Sequence, residues 1–194
     1  MLSSLARYKF YVVFVLIVVA GFSVAIVASI GYYPIAFISG HLITARRFAL
    51  EYGAVNSYYR RVLETYGVKA LGGSELTPSE LEASAMQKII EDILIQDGAR
   101  REVGSDLDYL VQNKLNQFGS DQELAKAASD LYGFNKNDFW NLILIPQAQR
   151  DILAGRLFLK GQKIEDWLVE AEKSAKVSIF SNTLHWNGNK VEAK

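Results

Sequence analysis

The two histidines are the first side chains to consider for chemistry, because an imidazole can bind a metal or exchange a proton near neutral pH. His41 and His185 are the only histidines in the 194 residues, and neither lies at a spacing typical of a metal site. The chain also has no cysteine that could supply a thiolate ligand or a disulfide. If short strands near the two ends of the chain pair, the histidines could approach each other. We expect each to have another partner or to face solvent, and not to bind a metal.

Two carboxylates alternate in the way that the first ligands of a calcium loop do. Asp106 and Asp108 show this spacing, but the glycine and the later glutamate that such a loop requires are missing. Acidic residues at a helix start, where the helix dipole favours them, are the simpler interpretation. The chain also contains no nucleophile elbow, phosphate loop or dinucleotide fingerprint. We therefore predict no cofactor, no metal and no enzymatic activity.

The charge balance gives no electrostatic reason to bind nucleic acid. Lys and Arg together number 21, Asp and Glu together number 21, and the net charge is zero. Binding to phosphates requires an excess of basic residues. Aromatic residues make up 12% of the chain, which is too many for a disordered tail. The composition predicts a folded domain that does not bind nucleic acid.

Residues 10–31 are predicted to form a transmembrane helix. No charged side chain occurs from Phe10 to Ile30, and about 20 apolar residues match the hydrocarbon thickness of a bilayer. Arg7 and Lys9 precede this stretch, and the next charge is Arg46. The positive-inside rule therefore places residues 1–9 in the cytoplasm and residues 34–194 on the extracytoplasmic side of the inner cell membrane.

A cleaved signal peptide is the alternative for this segment. Ser23-Val24-Ala25 is an acceptable small-x-small cleavage site. The apolar stretch is longer than the usual signal core of about 7–15 residues, and this length favours a permanent anchor.

The rest of the chain predicts a mainly α-helical domain with a few short strands at both of its ends. Thr44 should cap a helix to Tyr66, and Thr77-Pro78-Ser79-Glu80 is a capping box for a helix that ends near Gly104. Gly98 should weaken that helix by about 1 kcal/mol. Other expected features are a loop at 72–74, helices at 105–118, 120–133, 135–158 (kinked at Pro146) and 163–175, and strands at 35–38, 42–43 and within 176–192.

Short strands would be marginal alone, so we expect those at both ends of the domain to pair in one small sheet. Ile35–Ile38 and Leu42-Ile43 form the early strands, and Val177–Phe180 is the first of the late ones. Asn187-Gly188 is a favoured two-residue turn for a hairpin that follows.

Four segments, taken in order, resemble SurA-type chaperones and related membrane-anchored foldases over most of residues 34–180. The first segment is similar to their opening strand, turn and Ile-Thr pair, although Ser39 replaces the usual Asn. The segments are 35–44 with Phe48, then 86–96, then 131–134 with Asp138-Phe139 and Pro146, and finally Trp167-Leu168 with 175–180. The resemblance implies a helical chaperone domain whose small sheet joins its N-terminal and C-terminal segments.

One departure from this family concerns catalysis. Full-length members carry a parvulin-type prolyl isomerase of about a hundred residues between the last two of these segments. Here only Leu159–Lys163 separate Phe158 from Ile164, and five residues cannot hold that domain. The resemblance therefore implies the chaperone module without the enzyme.

We expect a holdase that binds unfolded or nascent exported polypeptides beside the bilayer. The candidate polypeptide-binding residues are Tyr132, Phe134, Phe139 and Trp140. At helical spacing, each of these aromatic side chains taken singly is more simply a core residue. The alternative function is an accessory subunit that uses the same fold to dock one partner in a membrane complex.

Overall fold

The computed structural model describes residues 2–67, 75–117 and 121–194. The predicted loop at 72–74, the predicted helix end at Phe118 and the predicted cap at Ser120 lie outside these residues. The protein is mainly helical, with two small antiparallel sheets. Its helices are α1 (Leu2–Ser29), α2 (Ala45–Tyr66), α3 (Pro78–Val103), α4 (Leu107–Leu115), α5 (Asp121–Ala127), α6 (Lys136–Phe139), α7 (Ile145–Leu159) and α8 (Ile164–Ser174). Its strands are β1 (Pro34–Ile38), β2 (His41–Thr44), β3 (Val177–Ile179), β4 (Leu184–Trp186) and β5 (Val191–Ala193).

Helix α1 is long and apolar enough, over Tyr11–Ser29, to cross a bilayer, and none of that stretch is buried against the rest of the protein. Its end is bonded to the start of α2. The backbone N–H of Arg46 donates to the Gly31 carbonyl over 2.8 Å, and the Ala45 N–H donates to the Tyr33 carbonyl over 3.0 Å. The Arg46 guanidinium also donates to the Tyr32 hydroxyl. These bonds attach α1 to the helical domain.

The predicted starts of α2 and α3 are confirmed. Thr44 Oγ1 accepts from the Arg47 N–H, and Thr77 with Glu80 forms the reciprocal capping box. Pro78 occupies the first turn of α3, and Gly104 ends that helix at a positive φ of 64°. Local capping chemistry therefore determines both helix starts.

Helix α3 is the central element of the core. It packs against α2, α7, α8 and β5. Its buried residues occupy much of its circumference, as expected for a helix enclosed by others. They are Leu81, Ala85, Met86, Ile89, Ile90, Ile93, Leu94, Ile95, Gly98 and Ala99.

Gly98 allows α3 and α8 to approach closely. A Cβ at this position would lie 2.5 Å from two ring carbons of Trp167 and 3.1 Å from a Leu153 methyl carbon. Real Cβ atoms do not come so near to other heavy atoms. The predicted helix-weakening glycine is therefore the residue that makes room for the indole.

The helices after α3 differ from prediction at their boundaries. A 3₁₀ turn over Gly104–Asp106 precedes α4, so Ser105 does not open the α-helix directly. Asn135 caps α6 as expected, by accepting from the Asp138 N–H over 2.9 Å. Pro146 does not split the predicted 135–158 helix. A π-helical segment, Trp140–Leu144, joins α6 to α7, and the chain stays helical through Pro146. A second π-helical segment, Ala128–Tyr132, ends the predicted helix before Gly133.

The two ends of the helical domain meet in a three-stranded sheet, as predicted. Strand β1 is central and pairs antiparallel with β2 and with β3. Ala36 lies opposite Ile179, and Ile38 lies opposite Val177. Ala36 and Ile38 are buried and face the core.

The prediction of one sheet is wrong for the last two strands. β4 and β5 form a separate two-stranded hairpin, in which Leu184 lies opposite Ala193. Its turn is displaced by one residue from the predicted position, because the Asn187 N–H donates to the Lys190 carbonyl and leaves Gly188-Asn189 at the centre. The hairpin is held to α3 instead, where the Val191 N–H donates to Gln87 Oε1.

Candidate functional site

Three of the four predicted polypeptide-binding residues lie together around one ring. The Tyr132 ring centroid lies 6.2 Å from that of Phe134 and 5.6 Å from that of Phe139. Tyr58 on α2 stacks on Tyr132 at 5.8 Å. We call these four residues the Tyr132 cluster. Among the described residues, Trp140 makes no ring contact with the cluster, although it packs partly against the core.

Burial divides the Tyr132 cluster. Phe134 is 7% exposed and Phe139 is 6% exposed, so both belong to the core in this structure. Tyr132 is half-buried and Tyr58 is exposed. Burial also raises the pKa of the Tyr132 hydroxyl, which keeps this side chain neutral. A polypeptide could contact Tyr58, Tyr132 and Trp140 directly, whereas it could reach Phe134 and Phe139 only if the core opened.

An ion network around one fully buried carboxylate lies next to this cluster and was not predicted from the sequence. Glu51 on α2 is 0% exposed and accepts from Arg47 Nη2 over 3.0 Å. Lys88 Nζ on α3 lies 3.3 Å from Glu51 Oε2 and 2.6 Å from Asp92 Oδ2. We call these four residues the Lys88 network. Burial raises the pKa of the Asp92 carboxyl, and the Lys88 ammonium opposes that shift.

A concave surface lies beside the C-terminal end of α1. This α1 groove has a volume of about 660 Å³. Its lining includes the apolar residues Ile30, Ile35, Phe48, Met86 and Leu184, and the polar residues Arg46, Glu82, Ser181 and Thr183. The Thr183 hydroxyl donates to Glu82 Oε2 over 3.2 Å. The arrangement is an apolar groove with charged and hydroxyl groups among its lining residues.

The outer face of the three-stranded sheet is apolar and exposed. Phe37 and Leu42 lie directly opposite each other on β1 and β2, and both are exposed. Phe180, also exposed, donates its N–H to the Ile35 carbonyl over 2.7 Å and so extends the pairing of β3 with β1. Opposite residues in an antiparallel pair share a face. Exposed apolar side chains therefore continue from the α1 groove region onto the sheet.

Each histidine has its own carboxylate partner. His41 Nε2 lies 3.1 Å from Asp97 Oδ1, and His185 Nε2 lies 3.4 Å from Glu192 Oε2. Within the ranges that the structure describes, no group of three His, Cys, Asp or Glu side chains could hold a metal ion. Asp108 of the supposed calcium pattern lies 3.6 Å from Arg100.

Sequence patterns could have indicated the α1 groove only in part. Phe48 and Met86 belong to apolar helix stripes, but their meeting at the end of α1 depends on how three elements pack. The Lys88 network had one local signal, the four-residue spacing of Arg47 to Glu51 and of Lys88 to Asp92. Neither spacing reveals that the two pairs meet.

Comparisons with known proteins do not test the SurA-type resemblance, which stays a prediction from the four sequence segments. No protein-family model, no curated protein and no solved structure matches this chain.

Proposed function

We propose that the protein is a membrane-anchored, extracytoplasmic holdase that binds unfolded or exported polypeptides and does not isomerise prolyl bonds. The observation that carries this proposal is the α1 groove, a concave apolar surface of about 660 Å³ at the end of the apolar helix. Ligand sites have volumes of about 300–1,000 Å³ and mostly apolar walls. A groove of this size accommodates several apolar side chains of a client.

The composition of the α1 groove suits many different clients. Met86, whose thioether side chain adapts to irregular shapes, lines the groove together with Phe48 and Ile35. Adaptable apolar surfaces bind broadly, because they repack around different partners. The exposed Phe37, Leu42 and Phe180 would extend the contact area.

A position beside the bilayer favours weak binding. If α1 spans the membrane, with residues 1–9 in the cytoplasm, the α1 groove lies where exported chains emerge. Tethering raises the effective concentration of a binding site without any new contact. Weak, reversible contacts would then be sufficient for a holdase.

The short connection between α7 and α8 supports a chaperone without an isomerase. α7 ends at Leu159 and α8 begins at Ile164. We expect the full chain to leave prolyl isomerisation at its uncatalysed time constant of tens to hundreds of seconds. A faster rate in its presence would contradict this part of the proposal.

Aggregation of an unfolded client provides the direct test. The full chain in lipid nanodiscs should suppress aggregation of a reduced, unfolded client at near-stoichiometric amounts. Ala49→Arg places a bulky charge at the α1 groove and should abolish suppression. Ala125→Arg, on the exposed surface of α5, is the matched control and should retain it. No suppression by the wild type at large excess would overturn the proposal.

One observation favours the accessory-subunit alternative. Phe158 and Leu159, at the end of α7, are 79% and 77% exposed. Lys160, the next residue, bonds to Glu102 near the end of α3 and fixes this turn. A rigid pair of exposed apolar residues suits docking to one partner. Recovery of one stoichiometric partner from membranes, lost in Phe158→Ser/Leu159→Ser, would support this alternative over the holdase.

A further inference from the structure

A polar cavity of about 270 Å³ lies between α2, α3 and α7. We call it the amide cavity, because Gln96, Asn141 and Gln149 line it together with Arg47 and Asp92. At about 30 Å³ per molecule of liquid water, its volume equals that of about nine water molecules. It can hold one side chain or a short piece of backbone, and it is too small for a folded element.

Helix periodicity places the amides in one space. Asn141 and Gln149 are eight residues apart, which is close to two turns, so they lie on one face of the run from the π segment into α7. Gln96 follows Asp92 by four residues on α3. Asn141 belongs to the π-helical segment itself, and such segments often occur at functional sites.

Two groups at the amide cavity have hydrogen-bonding capacity that the fold does not use. Gln149 is only 6% exposed, yet its amide has no hydrogen-bond partner among the described residues. Arg47 Nε is also buried without a partner there. Buried polar groups are almost always bonded to protein or to ordered water. The Gln149 amide atoms are not among the fully buried unpartnered atoms, so they are open to the cavity and can bond to a ligand there.

The charges beside the amide cavity are already balanced. Arg47 is paired with Glu51, and Lys88 is paired with Asp92. An ionic ligand would add an uncompensated charge to a partly desolvated site, which is costly. A neutral amide offers a donor and an acceptor that match those of Gln and Asn side chains. The chemistry therefore selects a neutral amide over a carboxylate or an amine.

We propose that the amide cavity binds a neutral amide group of a polypeptide, either a backbone amide of an extended segment or the carboxamide of an Asn or Gln side chain. The identification of the ligand as a polypeptide rests on the proposed holdase function, whereas the amide chemistry rests on the cavity alone. A client would place apolar side chains in the α1 groove and an amide in this second site.

Side-chain NMR of the full chain in detergent micelles tests this proposal. The probes are three blocked tripeptides, Ac-Ala-Gln-Ala-NHMe, Ac-Ala-Ala-Ala-NHMe and Ac-Ala-Glu-Ala-NHMe. We expect saturable shifts of the Gln149 side-chain NH₂ resonances. If the Ala peptide does not bind, binding of the Glu peptide should be at least tenfold weaker than that of the Gln peptide. Shifts with the Gln peptide alone identify a side-chain carboxamide as the ligand, and equal shifts with the Ala peptide identify the backbone.

Two variants distinguish a ligand site from a structural role. Gln149→Leu should lose the saturable shifts of the other cavity amides, while its melting temperature is no lower than that of the wild type. Gln112→Leu, on the exposed face of α4, makes the same change outside the cavity and should keep binding unchanged. Saturable binding retained in Gln149→Leu, a clear drop in its melting temperature, or equal binding of the Glu and Gln peptides when the Ala peptide does not bind would each overturn the inference.

Failure of this inference and failure of the proposed function give different results. Client aggregation is measured on the same preparations. Suppression of aggregation without saturable peptide binding contradicts the amide site alone. Saturable peptide binding without suppression contradicts the holdase alone.

Discussion

Lys88 Nζ donates a hydrogen bond of 3.1 Å to the carbonyl oxygen of Leu142. In a regular α-helix, that carbonyl would accept from the backbone nitrogen of residue 146, which here is a proline and has no N–H. The ammonium therefore satisfies an acceptor that Pro146 leaves without its helical donor. Lys88 also pairs with Glu51 and Asp92, so one side chain links α2, α3 and the π segment before α7.

Replacing Lys88 should destabilise the helical domain strongly. Lys88→Met would leave the fully buried Glu51 with Arg47 alone and would remove the hydrogen bond of the ammonium to the Leu142 carbonyl. We expect a loss of about 3 kcal/mol in the free energy of unfolding, because breaking a buried ion pair leaves an uncompensated charge. Denaturant unfolding of the full chain in micelles, followed by tryptophan fluorescence, measures it.

Lys114→Met is the matched control for that change. Lys114 pairs with Asp151 at the surface over 2.7 Å, and such pairs contribute at most about 1 kcal/mol. Equal effects of the two variants would show that the Lys88 network contributes no more than a surface pair.

Two glycine-to-alanine changes should have opposite effects. Gly98→Ala would force a Cβ to within 2.5 Å of the Trp167 ring, and overpacking of this kind costs about 1–3 kcal/mol. Gly155→Ala, within α7, would meet no heavy atom within 4 Å and should stabilise by about 0.5–1 kcal/mol through helix propensity. Melting temperatures of both variants test this pair of predictions. A Gly98→Ala variant as stable as Gly155→Ala would contradict the close approach of α3 and α8.

The raised pKa of Asp92 gives a pH dependence of known sign. Burial, opposed by Lys88, raises the pKa of this carboxyl in the folded chain above its ordinary value of 3.8. The stabilising contribution of Asp92 is thus complete below pH 3.8 and falls as the pH rises through the folded-state pKa. The stability of Asp92→Asn relative to the wild type should therefore improve over that window. Unfolding measured at several pH values checks this, and a relative stability that worsens as the pH rises would indicate a lowered pKa.

The proposed topology can be tested with single cysteines, because the natural chain has none. Asn189→Cys, in the turn between β4 and β5, should react with a membrane-impermeant maleimide in spheroplasts. Ser3→Cys, before the apolar stretch, should react only after the membrane is permeabilised. Labelling of Ser3→Cys in sealed spheroplasts would contradict the assignment of residues 1–9 to the cytoplasm.

The helix starts and the main sheet could be predicted because their determinants are local. Thr77, Pro78 and Glu80 are adjacent in sequence, and the capping box they form depends little on the rest of the fold. Strands β1 and β3 are short and apolar, and each needs a partner. Their pairing followed from this need.

The remaining features depend on contacts between distant residues. Helical spacing marks Phe134 and Phe139 as aromatic stripe positions, but it does not distinguish a core residue from a binding residue. The contact of Gly98 with Trp167, the meeting of Lys88 with Glu51, and the separate hairpin of β4 and β5 all depend on helix packing. Single-sequence patterns carry no information about such packing.

Site-specific crosslinking tests the central claim most directly. A photoreactive amino acid at Ala49, in the α1 groove of the full chain, is activated while exported proteins are being synthesised, with Ala125 on α5 as the control position. The holdase proposal predicts many different nascent exported polypeptides joined at position 49 and few at position 125. Crosslinks to no exported polypeptide, or to one companion protein alone, would contradict it.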